Sequence, residues 1–466
     1  MAKITTLRAD WVLPISGEPI PNGEVVIEDD RIAEVRSASG HLADSVTDFG
    51  DAILMPGLVN VHTHLDYTVF RGLIEDVEFF PWIRELTFRK SVLDWEDWLS
   101  SAIWGAAEAV AGGVTTLGDC TDSGAAFYGA KALGLRGVIY QEVFGIDESS
   151  PVSQIVEELQ GKVAQLKRES AGSSLAVGIS PHAPYTVRPA LFEALAEYAK
   201  RDNLPVCIHA AESQAEAELL AGGRGAIAEM FERRGIAWQA PGTSTVGYLE
   251  KFGLPGDRTL LVHGVQLSAN DRHVIREHDF AWAHCPKSNA KLGVGVAPFG
   301  LLSGREANEE SAGNVRVGIG SDSVASNNTM DIFEELRFSV LMQRGARRQI
   351  RVMTAKEAIE MATIGGARAL RMEREIGSLE PGKRADLCAI RLNELHSAPA
   401  YHPYNALVYA GRASDVIWTM IGGEVRYSAQ NNQRLTERFP LMDMAPVAKN
   451  LQKAAQKQRE WRPSNP

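Results

Sequence analysis

The chain has 466 residues, 45% hydrophobic and 23% charged, enough to bury a large α/β core with a smaller module beside it. Its formal net charge of -11 disfavours nucleic acid and anionic membrane surfaces as partners. No apolar run approaches the ~18 residues of a membrane span, and Met1 to Asp10 lack the apolar stretch and cleavage site of a signal peptide, so the cytoplasm is the expected compartment.

From Leu7 to about Asp51 the pattern is short strands at Asp10–Pro14, Glu24–Glu28 and Arg31–Val35, with a turn expected at Pro21-Asn22-Gly23. The same texture returns at Ala385–Ile390 and Val416–Ile421, where a Gly422-Gly423 hairpin leads into Glu424–Tyr427. Neither end has enough strands to close a core alone, so residues 1–56 and 374–430 are expected to build one β-sandwich together. Between them lie eight near-continuous apolar runs, Leu58–Val61, Gly113–Asp119, Gly137–Phe144, Leu175–Ser180, Pro205–His209, Thr259–His263, Phe280–His284 and Val317–Ser321. Helix-length segments separate them, which is the shape of a parallel (β/α)8 TIM barrel, assigned to residues 57–373. Ala190–Ala199 and Thr354–Leu370 read as helices, the second behind a Thr cap followed by Glu357. Residues 431–466, rich in Lys, Gln and Arg from Val447 onward, read as a solvated terminal helix or tail. Cys120, Cys207, Cys285 and Cys388 are far apart, show no paired metal spacing, and read as buried thiols.

In such barrels the chemistry lies at the C-terminal ends of the strands. The first run delivers His62 and His64, two residues apart and so facing one way on a strand. Two converging imidazoles can hold a divalent metal, although two ligands alone do not make a site. The fourth run ends in Ser180-Pro181-His182, the fifth in His209-Ala210-Ala211-Glu212, the sixth in His263-Gly264 and the eighth in Ser321-Asp322-Ser323. Any one of these histidines could be structural; the ordered set at strand ends points to a metal-dependent active site.

That ordered set, with Pro56-Gly57-Leu58-Val59-Asn60-Val61-His62-Thr63-His64 at its head and Gly377-Ser378-Leu379-Glu380-Pro381-Gly382-Lys383-Arg384-Ala385-Asp386-Leu387 near the end, resembles the amidohydrolase superfamily. Its branch of cytosine/adenosine-type deaminases and triazine hydrolases is the one resembled. The resemblance implies that His62, His64, His209 and Asp322 bind one divalent metal per chain, zinc first, with iron or manganese as alternatives. The fourth strand, Leu175–Ser180, offers no bridging Lys or Glu of the kind binuclear relatives use. By the same resemblance Asp322 takes a proton from the metal-activated water, Glu212 protonates the substrate ring, and His263 orients the hydroxide and stabilises the tetrahedral oxygen. The alternative for Glu212 is a carboxylate satisfying amides at a helix start.

The implied substrate is a small molecule, and a homo-oligomer of two or more subunits is the expected assembly. His182 is placed to hold a nucleoside. Relatives that deaminate S-adenosylhomocysteine or methylthioadenosine commonly carry an acid in the loop after strand one and an arginine after strand three. Here Phe80 or Pro81 falls at the first place, and Tyr140-Gln141-Glu142-Val143-Phe144-Gly145 contains no arginine. Phe79, Phe80 and Trp82 instead suggest an apolar or aromatic 5′ substituent, as in aminodeoxyfutalosine, with Phe80 and Trp82 as substrate contacts and Lys287 available to a carboxylate. S-adenosylhomocysteine or methylthioadenosine remains an alternative, as does release of amine or halide from a triazine, pterin, cytosine or guanine. A noncatalytic scaffold is the third reading; the complete ligand set and Glu212 argue against it.

Overall fold

The computed structural model describes residues 3–38, 46–302, 315–429 and 437–462. The alternating segments at the two chain ends form strands β1 (Ile4–Val12), β2 (Ile20–Glu28), β3 (Arg31–Ser37), β4 (Val46–Asp48) and β5 (Ala52–Pro56), and later β14 (Leu387–Arg391), β15 (Val416–Ile421) and β16 (Glu424–Ser428). They join in one mixed sheet, ordered β16-β15-β14-β5-β1-β2-β3 with β4 beside β1, over a core that includes Leu7, Val12, Val25, Ile27, Leu54 and Leu387. The turn expected at Pro21-Asn22-Gly23 is instead part of β2, where Pro21 pairs with Trp11 and Gly23 with Ala9. β3 stops opposite Gly23, so Pro21 lies where β2 is an edge and its missing N–H costs no ladder bond. Gly23 permits the pairing because a Cβ there would meet Val12 Cγ2 at 2.6 Å.

The eight apolar runs form eight parallel strands in chain order: β6 (Leu58–Thr63), β7 (Val114–Thr121), β8 (Arg136–Val143), β9 (Leu175–Pro181), β10 (Val206–Ala210), β11 (Thr259–His263), β12 (Ala281–His284) and β13 (Arg316–Ile319). The ring closes through a parallel bridge between Thr63 and Asp322, with the Asp322 N–H donating to the His62 carbonyl at 3.0 Å. Closure needs Gly320, where a Cβ would lie 2.9 Å from His62 Cβ and from Cys285 Sγ. Side chains alternate between two apolar layers. Val138, Tyr140, Cys207, Leu260, Val262, Ala281 and Ala283 fill the barrel interior, while Ile139, Val143, Ile208 and Leu261 pack outward against helices such as Pro189–Arg201. All four cysteines are buried.

Asp386 ties the sheet to the barrel. Arg136 Nε donates to Asp386 Oδ2 at 2.8 Å, and Asp386 Oδ1 accepts from the Gly422 N–H at 2.7 Å. The terminal helix, Ala445–Glu460, is not a solvated tail. Ala454 and Leu451 enter an apolar cluster with Phe70, Trp82 and Leu86, and Lys457 pairs with Asp94 and Asp97 at 2.6 and 2.5 Å. Most of its Lys and Gln residues cover the outer face, while Val447, Leu451 and Ala454 at helical spacing turn inward together with Gln458, which is buried and donates to the Arg89 carbonyl at 3.0 Å. Among the described residues no helix is long and apolar enough to cross a membrane.

Candidate metal centre and active site

The strand ends bring His62, His64, His209 and Asp322 together. Nε2 of His62 and of His64 lie 3.4 and 3.5 Å from Asp322 Oδ1, too long for good hydrogen bonds. Ligands at ~2.0–2.1 Å in tetrahedral array stand about 3.3 Å apart, so the spacing suits donors around one ion. Donor atoms of His62, His64 and His209 all lie within 4.8 Å of one another, and the buried Nε2 of His62 has no hydrogen-bond partner. Three imidazoles and a carboxylate fit a divalent metal such as zinc with a coordination position left for water.

Neighbouring groups fix these donors. Ser288 and Ser326 hydroxyls donate to Asp322 Oδ2 at 2.6 and 2.9 Å, leaving Oδ1 toward the imidazoles. His209 Nδ1 donates to the His182 carbonyl at 2.9 Å, so Nε2 is the atom it offers. His62 Nδ1 rests against the thiols of Cys120 and Cys207, at 3.9 and 4.0 Å. Alternation would send His263 outward, since Leu260 and Val262 face the interior. A left-handed backbone there, φ 74°, accompanies its inward position, ring centroid 5.6 Å from that of His209, and Asp322 is likewise left-handed at φ 58°. Such conformations cost ~1–3 kcal/mol each and gather at functional sites.

Two buried carboxyls are driven apart in proton affinity. Burial, then the charge on Asp322, pushes Glu212 well above the usual carboxyl range, which favours its protonated form. Against its own burial, the imidazoles of His62, His263 and His64 hold Asp322 well below that range. Glu212 Oε1 stands 3.7 Å from His263 Nε2. Its alternative reading, a carboxylate spent on helix-start amides, belongs to a different residue: Glu216 accepts the Ala211 and Glu212 N–H groups at 3.0 Å each and so fixes the loop that presents Glu212. His263 Nδ1 donates to Asn289 Oδ1 at 2.9 Å, and burial lowers the ring to about 4, which makes it neutral with Nε2 as acceptor. Burial and the His62 charge lower His64 to about 3. His62 alone is raised, to about 10, against its own burial, by the Asp322 carboxylate 3.4 Å away and the Cys207 thiol; a divalent cation would displace that proton on binding.

His182 lies beside this centre, its ring 4.7 Å from those of His209 and Phe144. Its Nδ1 bonds Thr186 Oγ1 at 2.9 Å, and that hydroxyl donates to the Ala183 carbonyl, so Nε2 is the free acceptor. Phe80 packs with Ala183 and Tyr185, on the loop that carries His182. Trp82 does not join it: two positions along a helix lie on opposite faces, and Trp82 is buried with Tyr67, Phe70 and Ala454. The expected aromatic pair on one substituent is therefore reduced to Phe80. Lys287 is not available to a substrate carboxylate, being paired with Glu334 and bonded to Thr329 Oγ1 at 2.7 Å. Sequence reading missed Tyr67, which stacks on His64 with ring centroids 5.2 Å apart and takes a bond from Lys90 at 2.7 Å, and missed Ser288, Ser326, Asn289 and Glu216. Single polar residues carry no spacing signal; Tyr67, three residues after His64, had a helical offset that could have pointed to it.

The profile of the amidohydrolase family matches residues 53–426. A 5-methylthioadenosine/S-adenosylhomocysteine deaminase of Moorella thermoacetica is 33% identical over 426 residues, covering 89% of this chain and 92% of its own. Its counterpart from Syntrophobacter fumaroxidans is 32% identical over 419 residues, covering 88% and 89%. Among solved structures, an adenosine deaminase of Xanthomonas campestris with bound zinc superposes with a TM-score of 0.83 at 26% identity, covering 98% of each chain. An atrazine chlorohydrolase of Arthrobacter aurescens complexed with zinc shares the fold, with a TM-score of 0.80 at 22% identity, over 97% of this chain and all of that one.

Proposed function

We infer the function from the fact that this chain belongs to the amidohydrolase family; it is a metal-dependent deaminase, a hydrolase of carbon–nitrogen bonds other than peptide bonds. We propose that it removes the amine of an adenine nucleoside bearing a 5′ substituent, with 5-methylthioadenosine and S-adenosylhomocysteine foremost and one divalent metal, zinc first, per chain. The observation that carries the reading is the convergence of His62, His64, His209 and Asp322 on one buried centre, with Glu212 Oε1 3.7 Å from His263 Nε2 beside it. The names of the relatives favour those two substrates over aminodeoxyfutalosine.

A divalent metal held by His62, His64, His209 and Asp322 would supply an activated water, lowering its pKa from ~15.7 to about 7. Asp322, ionised, takes a proton from the attacking water. Nε2 of His263 is an acceptor, so it orients that water, and the ring becomes a donor to the tetrahedral oxygen only once it has gained a proton. Glu212 gives its proton to the ring nitrogen beside the attacked carbon, which receives the displaced electron pair. The carbon–nitrogen bond then breaks as Asp322 passes the water's proton to the amine, which leaves as ammonia, and the hydroxyl proton of the adduct returns to Glu212 as the carbonyl forms. Phe80 lines the side where a 5′ substituent would lie, and Nε2 of His182 accepts from the sugar. A scaffold without chemistry would have no use for two buried carboxyls shifted in opposite directions.

The test is ammonia release from 5-methylthioadenosine, S-adenosylhomocysteine, aminodeoxyfutalosine, adenosine, free adenine, cytosine, guanine and a triazine at one metal concentration. The highest kcat/KM is expected on a 5′-substituted adenine nucleoside. A free base or a triazine in that place overturns the substrate reading while leaving the deaminase or hydrolase class intact.

A further inference from the structure

Strand β8 carries a carboxyl that the mechanism leaves unused. Val138 and Tyr140 face the barrel interior, so strand alternation places Glu142 on the same inner face, at the C-terminal mouth. It is 5% exposed, and its Oε1 has no hydrogen-bond partner. A buried acceptor left unmatched costs about 1–3 kcal/mol, so such an atom is expected to be matched in the working state. The nearby Lys90 does not match it: its Nζ bonds Asp122 and the Tyr67 hydroxyl and makes no hydrogen bond to Glu142 Oε1.

Glu142 has donor atoms of His182 and His209 within 4.8 Å. Those three groups do not make a second metal site, because His209 has spent Nδ1 on the His182 carbonyl and Nε2 belongs to the first centre. One nitrogen cannot serve two ions. What remains is substrate. The rings of His182, His209 and His263 form a row, with centroid spacings of 4.7 and 5.6 Å. Glu212 stands at the His263 end and Glu142 at the His182 end. In an adenine nucleoside the ring nitrogens only accept; the donors are the amino group and the sugar hydroxyls. The amino group must lie at the metal centre, within reach of Glu212, so an acceptor at the other end of the row can meet only hydroxyls.

We propose that Glu142 is a specificity-determining residue that receives the sugar hydroxyls of the nucleoside, with His182 beside it. The proposal rests on the nucleoside reading above and deepens it. A hydroxyl matched to this buried carboxyl oxygen, which is otherwise unpartnered, is expected to be worth about 10- to 100-fold in discrimination.

The experiment compares kcat/KM for adenosine and 2′,3′-dideoxyadenosine in the wild type, Glu142→Leu and Glu142→Gln, with metal content measured for each. The wild type should prefer adenosine by about 10- to 100-fold. Glu142→Leu should abolish the preference, Glu142→Gln should retain part of it, and all three should carry the same metal. Should Glu142→Leu not fold, the ratio in Glu142→Gln decides. A wild type that treats the two nucleosides alike, or a preference that survives in both variants, overturns the proposal while the nucleoside reading stands. Loss of metal in the variants overturns it in favour of ligation. A wild type inert to every nucleoside and active on a free heterocycle overturns both readings together.

Discussion

Glu212 and Asp322 are buried in one site and are shifted in opposite directions, Glu212 upward by burial and then by the charge on Asp322, Asp322 downward, against its own burial, by the imidazoles around it. Paired carboxyls split in this way mark the acid and the base of a hydrolytic site.

Glu212→Gln should keep the metal and lose about 10²–10⁴-fold in kcat, the usual cost of removing a general acid. Glu212 works protonated, so the wild-type rate should fall as pH rises through its elevated pKa. In the variant that alkaline limb should vanish. A near-normal rate, or loss of the metal, removes Glu212 from the mechanism.

Metal affinity should weaken as pH falls. His62 is raised to about 10 by Asp322, so at neutral pH the incoming ion displaces a proton, and below that value log affinity should drop by about one per pH unit. Chelator titrations across pH 6 to about 9 would show this slope. A flat profile would mean that His62 is already neutral in the metal-free protein.

Ser288→Ala should lower metal affinity by about 10- to 100-fold with the fold intact, because Ser288 and Ser326 hold Oδ2 of Asp322 and thereby aim Oδ1. Competition with a chelator of known affinity reads the change. Unaltered affinity would assign Asp322 its orientation from the backbone alone.

Ala454→Glu should destabilise the protein by several kcal/mol, because the site is fully buried among Phe70, Trp82 and Leu86 and offers the new carboxylate no partner. Thermal unfolding checks it. A terminal helix that only rested in solvent would tolerate the change.

The barrel was legible because its strands are buried along most of both faces and read as apolar runs, from Leu58–Val61 to Val317–Ser321. The convergence of His62 and His64 on Asp322 followed from their place at strand ends. Register was less legible: Pro21-Asn22-Gly23 carries turn composition, yet the early end of β3 lets it continue a strand. Side-chain direction on helices was lost as well, since the text Phe80-Pro81-Trp82 does not say that the two rings face apart. Glu142, Tyr67 and Ser288 reach the site from separate elements and leave no motif. The terminal helix misled through its composition, because exposed Lys and Gln hide the small residues that pack.

The most direct test of the account is ammonia release from 5-methylthioadenosine by wild type and Glu212→Gln, each metal-free and reconstituted with one equivalent of zinc. The account requires one ammonia per nucleoside consumed by the reconstituted wild type, none from the metal-free protein, and a rate about 10²–10⁴-fold lower in reconstituted Glu212→Gln. Equal turnover with and without metal, or full activity in Glu212→Gln, would contradict it.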